Sequence, residues 1–397
     1  MARCDLPVIA SLADGRFLPC YGFPINVQRL SVRIPKEDNH DRSVRNETYR
    51  LERSSILALN EYVPGALVLA GGKIIESRGI LKHWTGENLD QALGLQYMAL
   101  RCGQDHVYLA TSATQSCPEC AMQPAGAGHQ LLFPRFGYTT AAWRPPVNWK
   151  HLERIGEVKT FPQIFSPKGE TKLWPDFGCV AGLCVKYRED AELLIHNAAK
   201  NNFGFAVCTK CGYADSEECS AQQGAMNLPA GFKDHPSIFH TKETQRCWLP
   251  VETPPVLRNK VLAARENVDL LVFDWPQIAP EKRFALFSMA RALVLAGARL
   301  LEIDVRELGS DLKILADGRP GFVIYETAPG GSGHCREFAE LNRNLLDTAR
   351  EILRGTDEHH RRCDRACLDC LLDFAGQFNF EKMDRRGALD LLEAGLE

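Results

Sequence analysis

The chain has 397 residues, 45% of them hydrophobic and 24% charged, with a formal net charge of -3. These are ordinary globular proportions, and at roughly 100–200 residues per domain they predict two or three domains, each able to bury a core. The charge balance excludes a global basic field that would draw the whole molecule onto nucleic acid, so any DNA contact must come from local patches.

The amino terminus, MARCDLPVIASLADGR, lacks a basic start followed by a long apolar run, so no secretory signal is expected. No stretch approaches ~18 uninterrupted apolar residues, so no membrane span is expected and the cytoplasm is the expected compartment. Fifteen cysteines is many for such a chain. In a reducing compartment they are not expected to form disulfides, and their spacing points to metal instead. Cys4, Cys20, Cys179 and Cys184 stand alone and are expected to be small buried apolar residues.

Residues 1–100 mix short apolar runs with turns and form the first expected region, of mixed α/β character. Within it, GALVLAGGKIIESRGI (65–80) reads as a hairpin turning at Gly-Gly-Lys. A second region, 101–260, is expected to carry a zinc ribbon and a zinc knuckle. MALRCGQDHVYLATSATQSCPEC reads as two short strands with Cys102 after the first and Cys117 and Cys120 in a CxxC turn, which sets two thiolates on one side of a knuckle. The first half of this ribbon keeps one cysteine, and His106 is the candidate fourth ligand; the alternative is a degenerate, empty site. Residues 121–175, rich in Gly, Pro and Trp, are expected to be irregular.

An apolar strand in 190–207 leads into Cys208-Thr-Lys-Cys211-Gly212, where glycine lets the chain turn under an ion. Cys219, His235, His240 and Cys247 follow. His235 and Cys247 are the favoured completing pair, with His240 the competitor and Cys219 a loop residue.

The third expected region, 261–397, reads as an α/β zinc-binding domain. VDLLVFDW (268–275) is a buried strand. After Pro280, a helix places Phe284, Phe287, Val294 and Leu301 towards the core. GFVIYE (321–326) is a strand, TAPGGSGH (327–334) a glycine-rich loop, and REFAELNRNLLDTAREILR a helix with Phe338, Leu341, Leu345 and Ile352 on one face. The loop residues Gly331 and Ser332 could cradle a phosphate on backbone amides, or form a tight turn that only glycine permits. Cys363, Cys367 and Cys370 make the last cluster. Its fourth ligand comes from Cys335, His334, His359 or His360; the sequence leaves the choice open, and Cys335 stands in the candidate set. Arg361, Arg362, Arg365, Arg385 and Arg386 lie near this cluster as candidate contacts to DNA phosphates, blunted by Asp364, Asp369, Asp373 and Asp384.

All three clusters read as closed, structural zinc sites. No GxxxxGK(S/T), GxSxG or HExxH occurs, so no ATPase or standard hydrolase is expected. One enzymatic alternative is a metal-dependent nuclease built on Glu326, His334 and the third cluster. Another reading is a scaffold that binds protein and never touches DNA.

The order of FLPCYGFP (17–24), NEYVPGALVLAGGKIIESRGI (60–80), the ribbon, IHNAAKNNFGFAVCTKCGYA (195–214), NVDLLVFD (267–274), YETAPGGSGH (325–334), CDRACLDCLLDFAGQ (363–377) and the later DRR (384–386) resembles one known arrangement. It is similar to the zinc-binding carboxy-terminal region of MrfA-type superfamily-two DNA helicases and to DrmB-like proteins of the DISARM anti-phage system. The resemblance implies zinc, DNA, and a helicase-like ATPase partner of the DrmA type in trans. The expected function is therefore a non-motor accessory subunit. Three departures are the lost cysteine of the first ribbon, a last cluster of three cysteines where related helicases often carry four, and a chain short for a DrmB-like protein, as a divergent, split or truncated version would be.

Overall fold

A computed structural model of the chain describes residues 26–35, 44–46, 49, 51–81, 93–148, 158–163, 171–219, 228–240, 246–248, 255–328, 331–372 and 380–396. FLPCYGFP, Cys4, Cys20 and residues 373–379 lie outside them. Short strands dominate up to residue 274, and among the described residues helices longer than seven residues begin only at Arg283.

The amino-terminal part contains β1 (Val27–Ser31), a small hairpin of β2 (Arg33–Pro35) and β3 (Val44–Asn46), β4 (Leu51–Ser54), α1 (Ser55–Glu61), β5 (Leu67–Ala70) and β6 (Lys73–Ile80). β5 and β6 form the expected hairpin; its turn residues Gly71 and Gly72 both take positive φ (57° and 72°), which a side chain would resist. The ribbon follows as β7 (Met98–Arg101) and β8 (Val107–Ala110), paired antiparallel.

The stretch expected to be irregular instead holds β9 (His129–Leu132), β10 (Tyr138–Thr140), β11 (Val158–Gln163) and β12 (Thr171–Trp174). These strands are too short to show a period of their own: β10 lies between β1 and β6, and β11 and β12 pair with the strand that follows them. The chain continues as β13 (Cys184–Asn197), β14 (Phe205–Cys208), β15 (Ala214–Ser216) and β16 (Val256–Asp274).

One sheet runs β4-β1-β10-β6-β5. The larger runs β11-β13-β16-β9-β7-β8, with β14 and a later strand, Pro320–Glu326, also on β16. The 19-residue β16 passes straight through the boundary expected at 260/261. Upstream of Val268 its apolar residues are interrupted by polar ones with polar partners of their own, such as Arg258 against Glu217 at 2.5 Å. In the apolar half, Leu271 and Phe273 join the helical core while Leu270 and Val272 join the amino-terminal core. A strand covered on both faces is apolar without alternation.

After β16 come α2 (Arg283–Leu301), β17 (Leu308–Ile314), β18 (Pro320–Glu326), α3 (His334–Glu340), α4 (Arg343–Arg354), α5 (Asp357–Arg362) and α6 (Arg385–Leu396). Pro280–Leu301 is long and apolar enough to cross a membrane by length and composition, but 67% of its most apolar window is buried, and α2 packs against α4, α6, β17 and β18. It is the central core helix, with Phe287 and Val294 buried. Phe284, in its first turn, is 37% exposed rather than core-facing. The single helix expected over 336–354 is two, broken at Asn342 (φ 49°), whose Oδ1 accepts from Gly178 N at 2.6 Å. The class is mixed α+β, with β16, β18 and β17 antiparallel and helices on one face.

Candidate metal centres

Three groups of four side chains each bring one ligand atom apiece within 4.8 Å of the others. Zinc held by sulfur at about 2.3 Å and nitrogen at about 2.0 Å has tetrahedral edges of about 3.4–3.8 Å, so ligand separations test the fit directly.

The first group is Cys102, His106, Cys117 and Cys120. The β7–β8 turn holds Cys102 and His106 together through Cys102 N donating to His106 O at 3.1 Å. His106 Nδ1 lies 3.4 Å from Cys102 Sγ, 3.3 Å from Cys120 Sγ and 3.6 Å from Cys117 Sγ. Its Nε2 is 2.7 Å from the Leu315 carbonyl, in the turn between β17 and β18. A carbonyl only accepts, so Nε2 carries the proton and Nδ1 turns its lone pair to the sulfurs. The missing cysteine of this ribbon is thus matched by a buried, oriented histidine. Burial also pushes the Cys117 thiol up to about 11, an unfavourable place for a thiolate without a cation beside it.

The second group joins Cys208, at the end of β14, to Cys211, His235 and Cys247. Cys208 and Cys247 sulfurs are 3.9 Å apart, and Cys211 Sγ is 3.5 Å from His235 Nε2. His235 Nδ1 faces the Phe232 carbonyl at 2.5 Å, and its ring stacks on Tyr213 with centroids 4.5 Å apart. Gly212 takes φ 87°, and a Cβ there would lie 2.3 Å from Ile80 O, so the knuckle can press against β6 only with glycine. Hydrogen bonds from Cys211 and Cys247 hold the Cys208 thiol far below its usual range, concentrating negative charge where a divalent ion would sit. His240 stays outside the group in a turn to Ser237 O, and Cys219 offers its carbonyl to Asn259 Nδ2 at 3.0 Å.

The third group is His359, Cys363, Cys367 and Cys370. His359 Nε2 lies 3.2 Å from Cys367 Sγ; Cys370 Sγ is 3.7 Å from Cys367 Sγ and 3.9 Å from Cys363 Sγ. Thr356 caps α5 on His359 N at 3.2 Å, and the i, i+4 spacing sets His359 and Cys363 on one helical face. Cys335 is not a member. It is fully buried at the start of α3, with Sγ donating to Asp269 O at 3.3 Å. His334 Nε2 instead faces Glu307 at 3.0 Å, and His360 also lies outside the group. The signal for His359 was present in the sequence as HxxxC at the end of a capped, acid-started helix. Metal analysis separates the two candidates: His359→Ala should lose one zinc per chain, and Cys335→Ser should lose none. Equal zinc content in both variants would remove His359 from the site.

The glycine-rich loop is an anion cradle filled from within. Glu326, fully buried, accepts from Ser332 N and from Cys335 N (2.7 Å), so Ser332 has no amide free for a phosphate. Gly331 takes φ 75°, and a Cβ there would sit 2.9 Å from the Asp269 carboxylate carbon, which fits the tight-turn reading of this loop. With both oxygens engaged, Glu326 is also poorly placed to activate water for a nuclease. Arg385 is corrected as well: it is fully buried, donating Nε to the Cys363 carbonyl at 3.0 Å and Nη1 to the Leu353 carbonyl. Arg361, Arg362 and Arg365 are exposed, with Arg362 paired to Glu358 at 2.8 Å; the 45%-exposed Arg386 pairs with Asp364 at 2.7 Å. Cys179, expected inside, is exposed.

Residues 289–371, which include the third group, match the MrfA Zn-binding domain. Druantia protein DruE of Escherichia coli (strain UMEA 4076-1) is 25% identical over 417 residues, covering 96% of this chain and 21% of that protein. Crystal structures of the DUF1998 helicase MrfA, bound to DNA and bound to DNA with AMPPNP, align over 92% of this chain. The TM-scores are 0.39 and 0.30, the identities 10% and 11%, and the shares of those chains covered 34% and 31%. The chain therefore spans about a fifth of the curated relative and about a third of the solved structures. Its residues 289–371 match the MrfA zinc-binding domain, set in a chain similar along almost its whole length to part of Druantia DruE.

Proposed function

We propose that this protein is a non-motor, zinc-braced module working beside a DNA helicase or translocase motor. The observation that carries the reading is the third ligand group: it lies within the stretch matching the MrfA Zn-binding domain and is flanked by the exposed Arg361, Arg362 and Arg365. Zinc orders loops that have too little core to order themselves and fixes those arginines on a rigid edge. The exposed i, i+4 pair of Arg362 with Glu358 is worth little in water, so a backbone phosphate can replace the carboxylate. Contacts of this kind position DNA without reading its sequence. The motor is a separate ATPase, as DrmA is for DrmB in the arrangement the sequence resembles, and the setting is cytoplasmic anti-phage defence.

Gel shifts of the purified chain on duplex and single-stranded DNA over a salt series test the DNA contact. Arg361→Ala with Arg362→Ala should weaken binding and reduce the slope of log affinity on log salt by about 2. An unchanged slope takes these residues out of the interface.

Leu368, 76% exposed between Cys367 and Cys370, favours a second reading, in which the knuckle tip presses an apolar side chain into a partner protein. No DNA binding at low salt, with a helicase-like ATPase still recovered by the tagged chain from its host and lost with Leu368→Asp, would make that reading the better one.

A further inference from the structure

Arg385 is among the largest fully buried side chains, and among the described residues its side-chain partners are all backbone carbonyls: Cys363 O from Nε and Nη2, Leu353 O and, at 3.5 Å, Arg354 O from Nη1, and His360 O from Nη2 at 3.4 Å. Its backbone N donates to Arg365 O at 3.1 Å, which fixes the start of α6 against the segment carrying the cysteines. Ion pairs of the neighbouring arginines go to carboxylates; that of Arg386, the next residue, goes to Asp364. A cation taken out of water without a compensating anion costs several kcal/mol, more than carbonyl dipoles alone return. With zinc bound, the third ligand group would be such an anion. Three thiolates and a neutral imidazole around a divalent zinc leave one net negative charge, and Arg385 binds the carbonyl of one of those ligands, Cys363.

We propose that Arg385 is the built-in counter-charge of the third zinc site, a positioning residue that holds the Cys363 backbone and neutralises the anionic zinc–thiolate centre. This rests on His359, Cys363, Cys367 and Cys370 being the ligands. The guanidinium fits the role better than an ammonium would, because its planar fork reaches the Cys363, Leu353 and His360 carbonyls at once.

The test is zinc release from the full-length chain to a chromophoric chelator, 4-(2-pyridylazo)resorcinol, followed over time. Cys370→Ser identifies the third-site phase as the one it removes; if that variant keeps every zinc, the ligand assignment fails and Arg385 is not at issue. With the phase identified, Arg385→Met should speed it about 10- to 100-fold and leave the other phases unchanged. Arg385→Lys, which keeps the charge, should fall between Arg385→Met and the parent chain. The deciding comparison uses Cys367→His, which makes the cluster neutral. There Arg385→Met should speed release far less, because no net charge remains to balance. An equal acceleration in both backgrounds would show packing alone and overturn the proposal, as would no acceleration in the parent. Should Arg385→Met fail to fold, Arg385→Lys compared in the two backgrounds decides it: a slower loss of zinc in Arg385→Lys than in Arg385→Gln, in the parent cluster only, supports the counter-charge.

Discussion

Replacing Cys208 by Ser should remove one zinc per chain and open the segment from Phe205 to Trp248. Without an ion, little else holds this part together. Its core consists of Ala141, Ala206, Tyr213, Phe232, Ile238, Trp248 and the ligands Cys208 and Cys211 themselves. Structural zinc contributes an apparent ~10–16 kcal/mol in comparable small sites, far beyond what so few apolar residues supply. The damage should spread to β6, because Gly212 O accepts from Ile80 N at 2.9 Å and the knuckle covers that edge. Zinc content, thermal melting and amide exchange of Cys208→Ser against the parent check this. Unchanged zinc and melting would show that the four side chains are packed together for some other reason.

Lys313→Ala should destabilise the protein by about 3–5 kcal/mol, the cost of leaving a buried charge without its partner. Lys313 Nζ lies 2.5 Å from Glu119 Oε1, with side chains 7% and 3% exposed. This pair joins the CxxC turn of the first ribbon to β17, beside the His106–Leu315 contact. Replacing both partners with apolar residues, Lys313→Met and Glu119→Leu, should recover most of the loss, because neither charge is then stranded. Denaturant unfolding of the two single variants and the double gives the coupling. Additive losses would place the stabilisation in packing rather than in the ion pair.

The ligand groups were legible in the sequence because metal ligation is a local pattern: a CxxC turn must place two sulfurs on one side whatever surrounds it. Cys208, Cys211, His235 and Cys247 meet as that pattern suggested, and His106 takes the place of the missing ribbon cysteine. The fourth member of the last group stayed open among Cys335, His334, His359 and His360 because the choice turns on where a helix begins, and Thr356 sets that start. Gly331 and Ser332 looked like a phosphate cradle because a cradle does exist there; the anion, Glu326, comes from the preceding strand, and spacing alone cannot tell an internal carboxylate from a ligand. Arg385 and Arg386 are neighbours of one type with opposite fates, one buried on carbonyls and one exposed, because α6 turns one inward and the next outward. β9 and β10 escaped detection since they take their places from strands far away in the chain, β11 and β12 since neither shows a period of its own apart from its pairing with β13, and β16 was read too short because Arg258 and Glu266 are polar residues inside a strand.

The length of β16 also sets an order of events during synthesis. β9 pairs with it in parallel, Leu131 opposite Val261, so the ribbon's sheet cannot close until residues 130 positions further on have left the ribosome. At roughly 5–20 residues per second that delay is on the order of ten seconds. The ribbon cysteines emerge before β16 and can take metal at once, while the strand edge beside them stays open to other chains throughout the interval. Agents that shield an open edge during translation should therefore raise its soluble yield more than agents that stabilise the finished fold.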